Sequence, residues 1–266
     1  MDIVYSRVAG LDLHDKTIFA AVRTVSQQGK VEQELRTFST MTRDLLGMAD
    51  WLTASGVTHV AMEATGVLWR PVWNILEGHF ELLLVNPREL KQVPGRKSDV
   101  KDCQWIAQLL QYGLLRSSFV PPEPQRDLRD LTRHRAQLQG ERNRVINRIR
   151  KTLDEANIKL GSVASDLTGV SCQEMLEQLA AGETDVRKLA KLARCRMKAK
   201  IPQLELALEG RFCEHHRFML KQLMGHLAYL DQQVAEFTAR IEEIMAPFVD
   251  QELVKKLDEI LSLIHI

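Results

Sequence analysis

The chain has 266 residues, of which 45% are apolar, 27% charged and 6% aromatic, and its formal net charge is +1. These fractions fit a globular chain of one large domain or two ordinary ones, and the balanced charge leaves any nucleic-acid or membrane surface to local clustering. No apolar run is long enough for a bilayer, residues 1–7 lack a signal-peptide pattern, and Cys103, Cys172, Cys195 and Cys213 form no C-x-x-C pair. The expectation is a cytoplasmic protein without a zinc site or disulfide framework.

Residues 4–13 read as a strand rich in apolar and β-branched side chains, and a turn at His14, Asp15 and Lys16 follows. A second strand over 17–25 and a third over 31–38 are joined by Gln27-Gln-Gly-Lys30, so the chain opens as an antiparallel meander. Residues 42–54 carry Leu45, Leu46, Met48, Ala49 and Leu52 at helical spacing, and Ser55-Gly56 ends that helix. A short buried strand over 57–62 leads to Glu63. A helix over 68–76 turns Trp69, Val72, Trp73 and Leu76 inward, and a further strand over 80–85 is closed by Asn86-Pro87. Strands separated by helices imply that the sheet continues in parallel. This order is that of a ribonuclease-H-like α/β fold.

Four acids stand out along this first half. Asp12 lies at the end of the first strand and Glu63 at the end of the fourth, where an open α/β sheet places its ligands. Asp99 and Asp102 are three residues apart where a helical pattern begins, hence neighbours on one face. Carboxylates that close repel each other and, unless solvent or basic partners relieve them, call for a divalent cation. Asp-x-x-Asp at a helix start also serves as a cap and as a partner for the helix dipole. The combination with Asp12 and Glu63 therefore carries the reading of a two-metal site.

Residues 88–101 read as a basic, turn-rich loop in which Arg88, Lys91, Arg96, Lys97 and Lys101 offer phosphate contacts, and a helix is expected over 99–115. The prolines at 121–124 read as a stiff connector. Beyond it, residues 125–157 form one long helix with Leu128, Leu131, Leu138, Val145, Ile149 and Leu153 near coiled-coil spacing and an arginine face that includes Arg142 and Arg148. Short helices broken by Gly161, Gly169 and Gly182 follow. Residues 187–200 hold seven basic residues, Arg187, Lys188, Lys191, Arg194, Arg196, Lys198 and Lys200, and no acid, for which an anionic partner is the simplest compensation. After an interruption at Pro202, residues 204–247 read as a second long striped helix, which gives an antiparallel helical hairpin that also dimerises. His215-His216 beside Cys213 reads as a solvated helix face in preference to a ligand set. Residues 261–266 stop in mid-pattern, as expected of a fragment.

Gly10-Leu-Asp12, Met62-Glu63-Ala-Thr-Gly66, Val85-Asn-Pro87 and Lys97-Ser-Asp99-Val-Lys-Asp102 followed by Trp105-Ile-Ala107 together resemble the DEDD transposases of bacterial insertion sequences, the bridge-RNA-guided recombinases. The resemblance spans nearly the whole chain and implies a RuvC-like domain over 1–120, a linker over 121–124 and a helical coiled-coil region over 125–261. Matched motif to motif, it implies that Asp12, Glu63, Asp99 and Asp102 hold Mg2+. It also implies a structured guide RNA that pairs with DNA, and dimers of dimers. The family's nucleophilic serine belongs to a further C-terminal domain that the tail at 262–266 does not match, and Ser262 is not given that role. Two rivals stand beside this reading, and only the first uses the same four acids. One is a metal-dependent nuclease or junction resolvase; the other is a catalytically dead RNA- and DNA-binding dimerisation fragment.

Overall fold

The computed structural model describes residues 2–26, 29–92 and 102–248, and the chain divides into two compact units, one ending at Pro121 and one beginning at Pro122.

In the first unit, β1 (Arg7–Leu13), β2 (Thr17–Val25), β3 (Val31–Ser39), β4 (His59–Glu63) and β5 (Glu81–Val85) form one sheet in the order β3-β2-β1-β4-β5. β2 runs antiparallel to both β1 and β3, whereas β4 lies parallel to β1 and β5 parallel to β4. That topology is ribonuclease-H-like, as the element order predicts. The two-residue period of β1 sorts its side chains. Ala9, Leu11 and Leu13 join a core with Leu45, Met48 and Leu52 of α1 (Thr42–Ala54) and Val72, Trp73 and Leu76 of α2 (Trp69–Leu76). Val8 faces the other way, into a cluster with Ala61, Val85, Ile106 and Leu110. β1 is thus covered on both faces, as parallel sheets require. β3, at the edge, leaves Glu32, Glu34 and Arg36 exposed, and such charges discourage pairing with a foreign strand.

The segment expected as a loop from residue 88 begins instead as a helix, α3 (Pro87–Gln92). Asn86 caps it, its Oδ1 accepting from the Arg88 N–H at 3.0 Å, and Pro87 fills the first position, where no N–H is needed. Arg96, Lys97, Asp99 and Lys101 lie outside the described residues. α4 spans Asp102–Gln111, and Gly113, at φ +67°, turns the chain away from it.

In the second unit, α5 (Glu123–Glu155) is followed by α6 (Leu160–Val163), α7 (Val170–Ala181), α8 (Val186–Ala190), α9 (Ile201–Leu208) and α10 (Glu214–Met245). α5 and α10 pair antiparallel. Arg135 Nε donates to Thr238 Oγ1 at 2.7 Å, and seven residues on, Arg142 Nε donates to Asp231, seven residues back. Leu138, Val145, Ile149 and Leu153 bury against Leu220, Leu223, Leu227 and Leu230 in a single core that α7, α8 and α9 complete.

The helix expected over 204–247 is broken, because α9 ends at Leu208 and α10 starts only at Glu214. Gly210 passes so close to the end of α5 that a Cβ would sit 2.5 Å from the Ala156 carbonyl oxygen, which also accepts from the Arg211 N–H at 2.8 Å. Pro202 does not interrupt; it occupies the first turn of α9. The basic run 187–200 is discontinuous. It divides into α8 and a 3-10 turn over Cys195–Lys200, with Cys195 in the left-handed region at φ +48°. Among the described residues no helix is long and apolar enough to cross a membrane.

Candidate functional site

The register of the parallel pair β1–β4 positions the first two acids. Gly10 lies opposite Ala61 and Leu11 opposite Met62, so one step further sets Asp12 beside Glu63 on strands about 4.8 Å apart. Residues two apart on a strand share a face, so Asp12 lies on the face of Val8 and Gly10, and Glu63 on that of Ala61. This is the face that α4 covers, since Ala61 packs with Ile106 and Leu110. Across the antiparallel pair, Asp12 faces Phe19, which packs against Cys103 and Ala107 of the same helix.

Asp102 opens α4, one residue before the buried Cys103. The helix that seals this side of the sheet therefore carries its acid at its positive dipole end, an environment that favours carboxylates and phosphates. β1, β4 and α4 bring Asp12, Glu63 and Asp102 to the carboxyl-end side of the parallel strands, each half-buried. Asp99 lies outside the described residues. Among the described residues no three His, Cys, Asp or Glu side chains form a group set to hold a metal ion. The donor chemistry nonetheless suits a hard divalent cation, because carboxylate oxygens are the ligands that Mg2+ takes from proteins.

One neighbour escaped the sequence reading. His14 Nε2 lies 3.2 Å from Asp12 Oδ2, with the Asp12 side chain only 18% exposed and that of His14 57%. The His14 ring meets Phe19 edge-on at 5.7 Å between centroids. The signal was available, because Asp12 and His14 are two apart at a strand end and so share a face, but residues 14–16 read only as a turn.

The cations expected to meet phosphate differ in their circumstances. Arg88 and Arg148 are exposed, and the Lys91 side chain lies outside the described ones. Arg142 is committed to Asp231 across the hairpin, Arg194 to Glu174, and Lys188 lies 3.5 Å from Glu183. Arg187, Lys191, Arg196 and Lys198 are exposed and make no ion pair among the described residues. Cys213 caps α10, with His216 Nδ1 3.2 Å from its Sγ, so the Cys-His-His cluster closes a helix end. The backbone N–H of His216 holds that thiol below its ordinary value.

Compared with known families, the chain matches the DEDD transposases of IS110 type, described as Transposase, over residues 9–158. The chain belongs to this transposase family. The matched span runs from β1 through α5 and includes all four acids. No curated relative matches. Among solved structures, the transposase is similar to T. thermophilus RuvC in complex with a Holliday junction substrate, at 14% identity and a TM-score of 0.30 over 43% of this chain and 100% of that one. It is also similar to the Thermus thermophilus RuvC structure, at 14% identity and a TM-score of 0.31 over 42% and 99%.

Proposed function

We propose that this transposase acts on the phosphodiester backbone of insertion-sequence DNA through the carboxylates of Asp12, Glu63, Asp99 and Asp102, with Mg2+ as their cofactor. The observation that supports the reading is the β1–β4 register, which ends with Leu11 opposite Met62, one residue before Asp12 and Glu63, on strands that α4 covers. Two neighbouring carboxylates at the carboxyl ends of parallel strands, facing a helix N-terminus, suit a site for a cation and a phosphate together. When bound, Mg2+ would offset the charge that develops on the phosphate oxygens. The chain's own part is to fix the carboxylates on two strands and a helix, and to hold the nucleic acid.

Arg88 and Lys91 on α3, with Arg96, Lys97 and Lys101, are the nearest cations in sequence to Asp99 and Asp102 and would take phosphate contacts next to the scissile bond. In the helical unit, Arg148, Arg187, Lys191, Arg196 and Lys198 would grip a DNA or guide-RNA backbone; Lys188 and Arg194 would join them, since exposed ion pairs give way at little cost. Arg142 is better read as a strut of the hairpin. The serine nucleophile that the family resemblance implies is assigned to no residue here, so the reading concerns the acidic half of the machinery. The α5–α10 pair is the surface through which homodimers, and dimers of dimers, would form. Transposition frequency in cells tests the reading. Alanine at Asp12, Glu63, Asp99 or Asp102 should reduce it to background, and wild-type frequency in these variants would refute it.

A further inference from the structure

Gly10 stands in the middle of β1, where a glycine weakens a strand and marks the close approach of another backbone. The approaching backbone is α4. A Cβ on Gly10 would lie 2.3 Å from the Cys103 carbonyl oxygen, 2.4 Å from the Ala107 nitrogen and 3.0 Å from its Cα. All three atoms are main chain, so no rotamer change relieves the overlap. With ordinary contact starting at 3.4 Å, the helix would have to rise by about 1 Å. The peptide that would be pushed hardest is Cys103–Gln104, in the first turn of α4 that Asp102 opens, and Asp12 lies two residues along from Gly10 on the same face.

We propose that Gly10 is a positioning residue: by lacking a side chain it sets the height of α4 over β1 and so fixes where Asp102, at the start of that helix, sits over the strands that carry Asp12 and Glu63. The inference rests on the acidic-site reading given above. A constellation of ligands tolerates about 0.5 Å of displacement, and a misplacement of about 1 Å costs on the order of a hundredfold in rate. The neighbouring strand supplies a second handle. Ala21, opposite Gly10 on β2, packs on Cys103 and Ala107, so a larger side chain there would wedge the same helix from beside it.

The test is Mn2+ binding to the full chain, followed by electron paramagnetic resonance, with circular dichroism to report folding. Gly10→Ala should stay folded with a lowered melting temperature and bind Mn2+ at least about tenfold more weakly. Val8→Ala removes bulk beneath the same helix without lifting it, and should lose melting temperature while binding Mn2+ as the wild type does. A folded Gly10→Ala protein with wild-type Mn2+ affinity would overturn the proposal. Should Gly10→Ala fail to fold, Ala21→Val takes its place, with weakened Mn2+ binding supporting the proposal and unchanged binding overturning it. Asp12→Asn separates the two claims, because wild-type Mn2+ binding in that variant would sink the acidic-site reading itself.

Discussion

Leu153→Ala probes whether the helical unit stands on its own core. Leu153 lies in the last turns of α5, is 1% exposed and belongs to the cluster that joins α5 to α7, α9 and α10. Truncation removes three buried carbons, about 2.4 kcal/mol of transfer free energy at ~0.8 kcal/mol per methylene. The cavity left behind adds to this, for a total of about 3–4 kcal/mol. With a urea slope of roughly 2 kcal/mol/M, the midpoint should fall by about 1.5–2 M. Two signals can follow this unit by unit. All four tryptophans, Trp51, Trp69, Trp73 and Trp105, lie in the first unit, whereas the 33-residue α5 and 32-residue α10 dominate the helical dichroism. Leu153→Ala should lower the dichroism midpoint and leave the tryptophan midpoint in place, and Leu52→Ala, in the core of the first unit, should do the reverse. Equal shifts of both signals in both variants would refute the account of two separate cores.

Other outcomes follow from particular side chains. Arg196→Glu with Lys198→Glu should weaken nucleic-acid retention regardless of sequence and flatten its salt dependence by a log–log slope of about 2, measured by filter binding; an unchanged slope would remove these cations from the interface. Burial pushes the Cys172 thiol up to about 11, from an ordinary value of 9.0. Its folded-state value is raised, so the associated stability is complete below pH 9 and lost as pH climbs towards 11, and Cys172→Ala should flatten that alkaline decline in urea melts. Cys213, held below its ordinary value at the start of α10, should be alkylated by iodoacetamide at a lower pH than an ordinary exposed thiol. The buried Cys103 and Cys172 should react only on unfolding, as peptide mapping would reveal.

Much of this architecture was legible because it is written in local periods. The α1 helix over 42–54 and the strand over 17–25 have the bounds that their apolar spacing predicts, and the alternation of helices with apolar strands foretold the parallel half of the sheet. Asp12 and Glu63 were legible as acids closing strands meant to be buried on both faces. What the pattern could not carry was contact between distant segments. The break at Gly210 exists because the chain runs against Ala156 at the end of α5, and no residue near Gly210 advertises that neighbour. The same holds for Gly10, an unremarkable strand glycine until α4 is laid over it. The pairing of Arg142 with Asp231 likewise turns an arginine that reads as a phosphate ligand into a tie between helices. α3 was missed for another reason: Asn86-Pro87 reads equally as a strand stop and as a helix start.

The central claim is that acids from β1, β4 and the start of α4 converge on a shared divalent cation. Anomalous diffraction from crystals of the full chain grown with Mn2+ tests it most directly. The account predicts a peak within about 2.0–2.6 Å of carboxylate oxygens from both Asp12 and Glu63, with Asp102 on the same ion or an adjoining one. Bound Mn2+ found only elsewhere on the protein, with the Asp12 and Glu63 carboxylates turned away from each other, would contradict it.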